Sequence, residues 1–144
     1  MNIQQRISAA NFSDVDKIIL ETPWPCQYVC GEIVEAQMRL VPFGNDGNTA
    51  REPDLAALGL RAATIHELVA FHTYHPDGQL QHNIITPDPQ SIWHNEHNIP
   101  YAPCLTKREQ GKALALVRYD DINDFINTFI ATVKEDSIML IDDI

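Results

Sequence analysis

Cysteine, basic residues and long apolar runs are all scarce in this chain, and each scarcity removes a class of function. The three cysteines, Cys26, Cys30 and Cys104, are odd in number and have no framework spacing. A disulfide-stapled secreted scaffold is therefore not expected, and a reducing, cytoplasmic setting is. Cys26 and Cys30 lie four apart, without the two-residue spacer of a dithiol redox pair. The first 17 residues contain no uninterrupted apolar stretch of the signal-peptide kind. Nowhere do about 18 apolar residues run together, so no membrane helix is expected. Glycine is also sparse, and its one cluster, Gly44-Asn45-Asp46-Gly47-Asn48, has no lysine nearby. That cluster reads as a turn or loop and not as a phosphate cradle.

The shortage of bases leaves a large charge. Ten lysines and arginines face twenty acids, a formal net charge of −10. Such a field repels nucleic acid and bare anionic membrane, so neither is expected as a partner, whereas a basic protein is attracted. Many proteins are acidic for solubility alone, and that reading competes. The acid is unevenly placed: Asp120, Asp121, Asp124, Glu135, Asp136, Asp142 and Asp143 face only Lys134, while Lys107, Arg108, Lys112 and Arg118 just upstream face only Glu109. Asp120, Asp121, Asp124, Asp142 and Asp143 are thus the expected docking residues for a basic partner.

With 144 residues, 44% of them hydrophobic, the chain can build a core without staples, hiding roughly two-thirds of its unfolded surface. The pattern predicts a single compact α+β domain over residues 1–144, with a mixed or antiparallel sheet and helices packed on one face. One or two short amphipathic helices open the chain, with Ser13 as a cap and the Thr22-Pro23-Trp24-Pro25 stretch as a stop. Residues 28–43 alternate in part, as a strand does. Residues 53–63 predict a short helix with Pro53 in its first turn and Gly59 at its end.

The pattern next predicts a hairpin at about 67–86, closed by Pro76-Asp77-Gly78 as a type I turn with a bulge. A competing signal lies in Thr64-Ile65-His66-Glu67, which fits a helix capping box. Residues 87–106, with four prolines, predict a long loop. Finally, residues 112–119 predict a strand buried on both faces. The recurrence of Ile122, Phe125, Ile126, Phe129, Ile130 and Val133 at helical spacing predicts a helix after it, and residues 137–141 a further strand. Together these make a C-terminal strand-helix-strand unit. The opening stretch, residues 6–20, loosely resembles the first strand and helix of acetyltransferase-type domains. The glycine-rich acetyl-carrier loop of such domains has no counterpart later in the chain.

All six histidines lie between His66 and His97. The predicted hairpin register sets His72 opposite His82 on one face, with Cβ atoms about 5 Å apart. Two imidazoles so placed can chelate a divalent metal, with His94 and His97 from the following loop as further ligands. Against this, His94 and His97 do not form the His-Glu-x-x-His helix of zinc proteases, and ordinary hydrogen-bonded histidines give the same composition. Cys104 stands near Lys107 and Arg108, which would lower its pKa and make it a nucleophile. Ser91 lacks nucleophile-elbow glycines. No residue is assigned a catalytic role, and no cofactor beyond that metal is implied. The leading expectation is a small acidic binding protein of the inhibitor, immunity or regulatory-adaptor type that docks a basic protein. The alternative is a small metal-assisted or cysteine-dependent hydrolase built on the histidine-rich segment.

Overall fold

The hairpin of residues 100–118 is the scaffold on which the other elements assemble. The computed structural model describes residues 3–24, 38–42, 44–46, 49–51, 55–74, 82–119 and 128–134. Strand β8 (Pro100–Arg108) and strand β9 (Gly111–Arg118) pair antiparallel from Tyr101↔Arg118 to Arg108↔Gly111. Gly111 has φ +126°, and a Cβ there would stand 2.7 Å from the Ser13 hydroxyl oxygen. Only glycine meets both demands without strain.

The chain opens with helix α1 (Ile3–Ala9), a short strand β1 (Asp14–Val15) and helix α2 (Lys17–Glu21). One or two helices are expected here and two are found, but Ser13 does not cap the second. Asp16 occupies that position and spends its carboxylate elsewhere. The stop falls where expected: the Thr22 hydroxyl donates to the Ile18 carbonyl, and the Trp24 indole N–H donates to that of Ile19. β1 runs parallel to β9, with Asp14 beside Ala113 and Val15 beside Leu114.

Strand β2 (Met38–Pro42) falls within the predicted strand of 28–43, and residues 28–37 lie outside the described residues. The glycine cluster contributes strand β3 (Gly44–Asp46), paired antiparallel with strand β4 (Thr49–Arg51) as a separate ribbon. Among the described residues of the predicted helix of 53–63 the chain makes a 3-10 turn, Ala56–Leu58. Gly59 at φ +73° ends it and leads into strand β5 (Leu60–Ala62).

Helix α3 (Ile65–Tyr74) overturns the first arm of the predicted hairpin. The capping box decides it. The Thr64 hydroxyl accepts from the Glu67 N–H at 3.2 Å, and the Glu67 carboxylate accepts from the Thr64 N–H at 2.9 Å. The second arm survives as strand β6 (Asn83–Ile85), and the Pro76-Asp77-Gly78 turn lies outside the described residues. The predicted loop of 87–106 is in part ordered: a 3-10 turn at Pro89–Ser91, strand β7 (Trp93–His94) and most of β8.

Strand β10 (Thr128–Lys134) corrects the second expectation, since Phe129, Ile130 and Val133 stand on a strand and not on a helix. Ile122, Phe125, Ile126 and the strand of 137–141 lie outside the described residues. β10 is antiparallel to β2 along one edge. Along its other edge β6 and β5 lie end to end, β6 parallel and β5 antiparallel to it. Among the described residues the sheet is mixed and eight-stranded, in the order β1-β9-β8-β6-β10-β2, with β5 against β10 and β7 against β8.

Core residues cover both faces of this sheet. On one, Ile3 and Ile7 of α1, Ile19 of α2 and Leu68, Val69 and Phe71 of α3 pack over Leu105, Leu114 and Ala131. The helices therefore share one face, as expected of an α+β domain. On the other, Leu55, Leu60, Ile85, Ala102, Cys104 and Ile130 form a second cluster. Among the described residues no helix is long and apolar enough to cross a membrane.

Candidate functional site

A cleft of about 470 Å³ lies beside α2, on the helix-covered side of the sheet. Its wall is aromatic. Trp93 of β7 and Tyr101 of β8 sit opposite each other in the ladder, and their ring centroids are 5.5 Å apart with planes tilted by 60°. Ile18 and Leu116 add apolar surface, and Asp16, Lys17 and Asn95 add polar groups. The Asn95 side chain is fixed, because its Oδ1 accepts from the backbone N–H groups of His97 and Ile99 at 2.9 and 3.0 Å. This tight turn holds β7 in place and with it Trp93.

Asp16 is the acidic element of the cleft. One carboxylate oxygen accepts from the Leu116 N–H at 2.7 Å, and the other from the Arg108 guanidinium at 2.9 Å. The same Arg108 nitrogen donates to Asp14 at 2.8 Å. Asp16 and Asp14 together hold the Arg108 guanidinium even more firmly protonated than usual. Two carboxylates share one cation, so the trio keeps a net negative charge. Lys17, which also lines the cleft, pairs with Glu21 at 3.6 Å, and both are well exposed.

The four histidines assigned to a metal stand on different parts of the chain, one on α3, one before β6, one on β7 and one in the turn after it. His72 lies buried on α3, where its Nε2–H donates to the Ala10 carbonyl at 3.0 Å and its ring stacks on Phe12 at 4.1 Å. It does not face His82 across two strands, because α3 is a helix. His82 precedes β6 and packs edge-on against Phe129, 4.6 Å between centroids. His94 is exposed at the end of β7, and His97 is exposed in the following turn beside Glu96 at 3.6 Å. Among the described residues no group of three or more histidine, cysteine or acidic side chains gathers to hold a metal. The acidic docking residues Asp120, Asp121, Asp124, Asp142 and Asp143 lie outside the described residues.

Cys104 does not have the environment its neighbours in sequence promised. It is fully buried in the second core cluster, and burial pushes its thiol up to about 12, against small opposing effects from the backbone at Ile84 and from Arg108. A thiol so held stays protonated at neutral pH and is no nucleophile.

A second polar cluster sits where β5 and β6 converge on β10, around the N-terminus of α3. Arg61 donates to both oxygens of Glu67 at 2.6 and 2.8 Å, and both side chains are largely buried. The Ser91 hydroxyl accepts from the Ile65 N–H at 2.8 Å and donates to Asp88 at 3.0 Å. The Thr86 hydroxyl donates to the Ala63 carbonyl. Burial raises the Asp88 carboxyl above its ordinary range and Glu67 adds to the rise, while Ser91, Arg61 and the backbone at Gln90 oppose it. Serine beside aspartate invites a catalytic reading, but Ser91 is 2% exposed, with its hydroxyl committed to the helix end and to Asp88. The cluster joins α3 to the strands.

Sequence reasoning missed the cleft. The Trp93-His94 dipeptide and Tyr101 were visible in a supposed loop, but their opposition depends on the β7–β8 pairing. Nothing in the spacing links Asp16 to Leu116, 100 positions later. In comparisons with known proteins no family model matches this chain, nor does any curated protein or solved structure.

Proposed function

We propose that this chain is a non-catalytic binding protein that docks a basic protein partner, in the manner of an inhibitor, immunity protein or regulatory adaptor. The observation that carries the reading is the segregation of its charge. From Asp120 onward seven acids (Asp120, Asp121, Asp124, Glu135, Asp136, Asp142 and Asp143) face one base, Lys134. Just upstream, Lys107, Arg108, Lys112 and Arg118 face only Glu109. Acid concentrated in this way steers a cationic partner more strongly than the same charge dispersed. Burial of the Cys104 thiol and the scattering of His72, His82, His94 and His97 take support from the hydrolase alternative.

The test is reconstitution with purified basic partners recovered at low ionic strength. Affinity is expected to fall steadily as salt rises, since exposed charges separated by more than about 10 Å are screened at 0.1 M. Neutralising Asp120, Asp121 and Asp124 together is expected to slow association more than it speeds dissociation. A partner whose affinity ignores both salt and these substitutions would refute docking by acid, leaving the charge as a solubility device.

A further inference from the structure

We infer that the cleft between α2 and strands β7–β9 receives an arginine side chain of the docked partner; this rests on the docking reading above. Charge complementarity selects a cation. The Asp14–Asp16–Arg108 trio carries one negative charge in excess, and its Asp16 member lines the cleft. The carboxylate is fixed in advance by the Leu116 N–H and by Arg108, so a ligand meets it without ordering it. Each carboxylate oxygen has two acceptor sites, and each Asp16 oxygen receives one hydrogen bond here.

Shape and aromaticity select arginine among cations. The Trp93 and Tyr101 rings, tilted at 60° to each other, both line the cleft. A guanidinium is planar, weakly hydrated and able to stack on such a face while its edge donates to a carboxylate, whereas an ammonium is a compact and strongly hydrated point charge. Leu116 and Ile18 offer apolar surface to the methylene stem. Ile18 is 38% exposed although it lies on a helix whose neighbour Ile19 is fully buried. Lys17 is turned toward Glu21, which leaves its charge partly neutralised at the rim.

The test uses the full chain and three end-blocked pentapeptides that differ only in a central arginine, lysine or citrulline. Citrulline keeps the shape of arginine and loses its charge. The readout is the NMR signal of the Trp93 indole N–H. The Trp24 indole, buried and bonded to the Ile19 carbonyl, serves as internal control for the fold. The arginine peptide is expected to shift the Trp93 signal saturably and leave the Trp24 signal in place. The citrulline peptide is expected to bind about tenfold more weakly or worse, the range of a partly desolvated cation–π contact with its charge pair, and the lysine peptide also more weakly.

Trp93→Leu and Asp16→Asn, the second of which keeps an acceptor for the Leu116 N–H, are each expected to weaken arginine binding about fivefold or more. For Trp93→Leu the readout is the shift of the Ile18 and Leu116 methyl signals. Equal binding of arginine and citrulline, equal binding of arginine and lysine, no shift at millimolar peptide, or unchanged affinity in either variant would each overturn the assignment. A basic protein held in a salt-dependent way by wild type, Trp93→Leu and Asp16→Asn alike would overturn the arginine site and leave the docking reading intact. Arginine-peptide binding by a chain to which basic proteins show no salt-dependent affinity would do the reverse.

Discussion

Asp88 holds its carboxylate against the Ser91 hydroxyl, within the fields of both Arg61 and Glu67. Burial raises its folded pKa above the unfolded value of about 3.9, and the sign of the consequence follows from linkage. Between the unfolded and folded pKa values the native state binds more protons than the unfolded state, so stability falls as pH rises through that window. At neutral pH the ionised group therefore costs stability. Asp88→Asn keeps an oxygen for the Ser91 hydroxyl and removes the charge. It is expected to raise the melting temperature at neutral pH, with the gain shrinking as pH falls below the folded pKa. Thermal melts of both proteins from mildly acidic to neutral pH measure this. A variant less stable at every pH would mean that the charge itself is needed. Cys104 teaches the complementary lesson about residue-scale reading. Lys107 and Arg108 are its neighbours in sequence, but Arg108 is committed to Asp14 and Asp16, and burial sets the thiol's pKa.

At the scale of elements, two segments were misread for the same physical reason. Residues 65–72 of α3 are buried almost without interruption, so no polar face marks the 3.6-residue period. Aromatic and β-branched residues then argue for a strand. In β10 the run from Thr128 to Val133 is buried at every position but Phe129, and an apolar run of this length fits a buried helix as well as a central strand. Three local signals do mark boundaries: the capping box of Thr64 and Glu67, Pro23 after α2 and the left-handed Gly59. The cap yields a prediction. Glu67→Ala removes the box and also the bidentate partner of the largely buried Arg61 guanidinium, so urea denaturation is expected to show a loss of about 3–5 kcal/mol. Glu67→Gln keeps an acceptor for the Thr64 N–H and is expected to lose less. A loss below about 1 kcal/mol for the alanine variant would mean that the cap and ion pair are dispensable.

For the whole molecule, the class of fold was legible because strand-like and helix-like runs alternate irregularly, whereas the pairing of strands was not. β1 joins β9 about a hundred residues away, and β10 meets β2, β5 and β6 from three separate stretches. Such non-local ladders leave no local trace in sequence, and the cleft inherits that silence because Asp16, Trp93 and Leu116 meet only through them. β10 also ties together the two core clusters. Ile130 is fully buried on the face with Leu55, Leu60 and Ile85, while Ala131 and Val133 pack into the cluster under the helices. Ile130 stands between Val41 of β2 and Ile85 of β6. Truncating it opens a void at the centre of the sheet, and Ile130→Ala is expected to cost about 2–5 kcal/mol in chemical denaturation. Since one strand serves both clusters, backbone and aromatic circular dichroism are expected to report a single coincident transition in the variant as in the wild type. A loss under about 1 kcal/mol would place Ile130 outside the core. Two separated transitions would show that the two faces of the sheet melt as independent units, which β10 as their common member forbids.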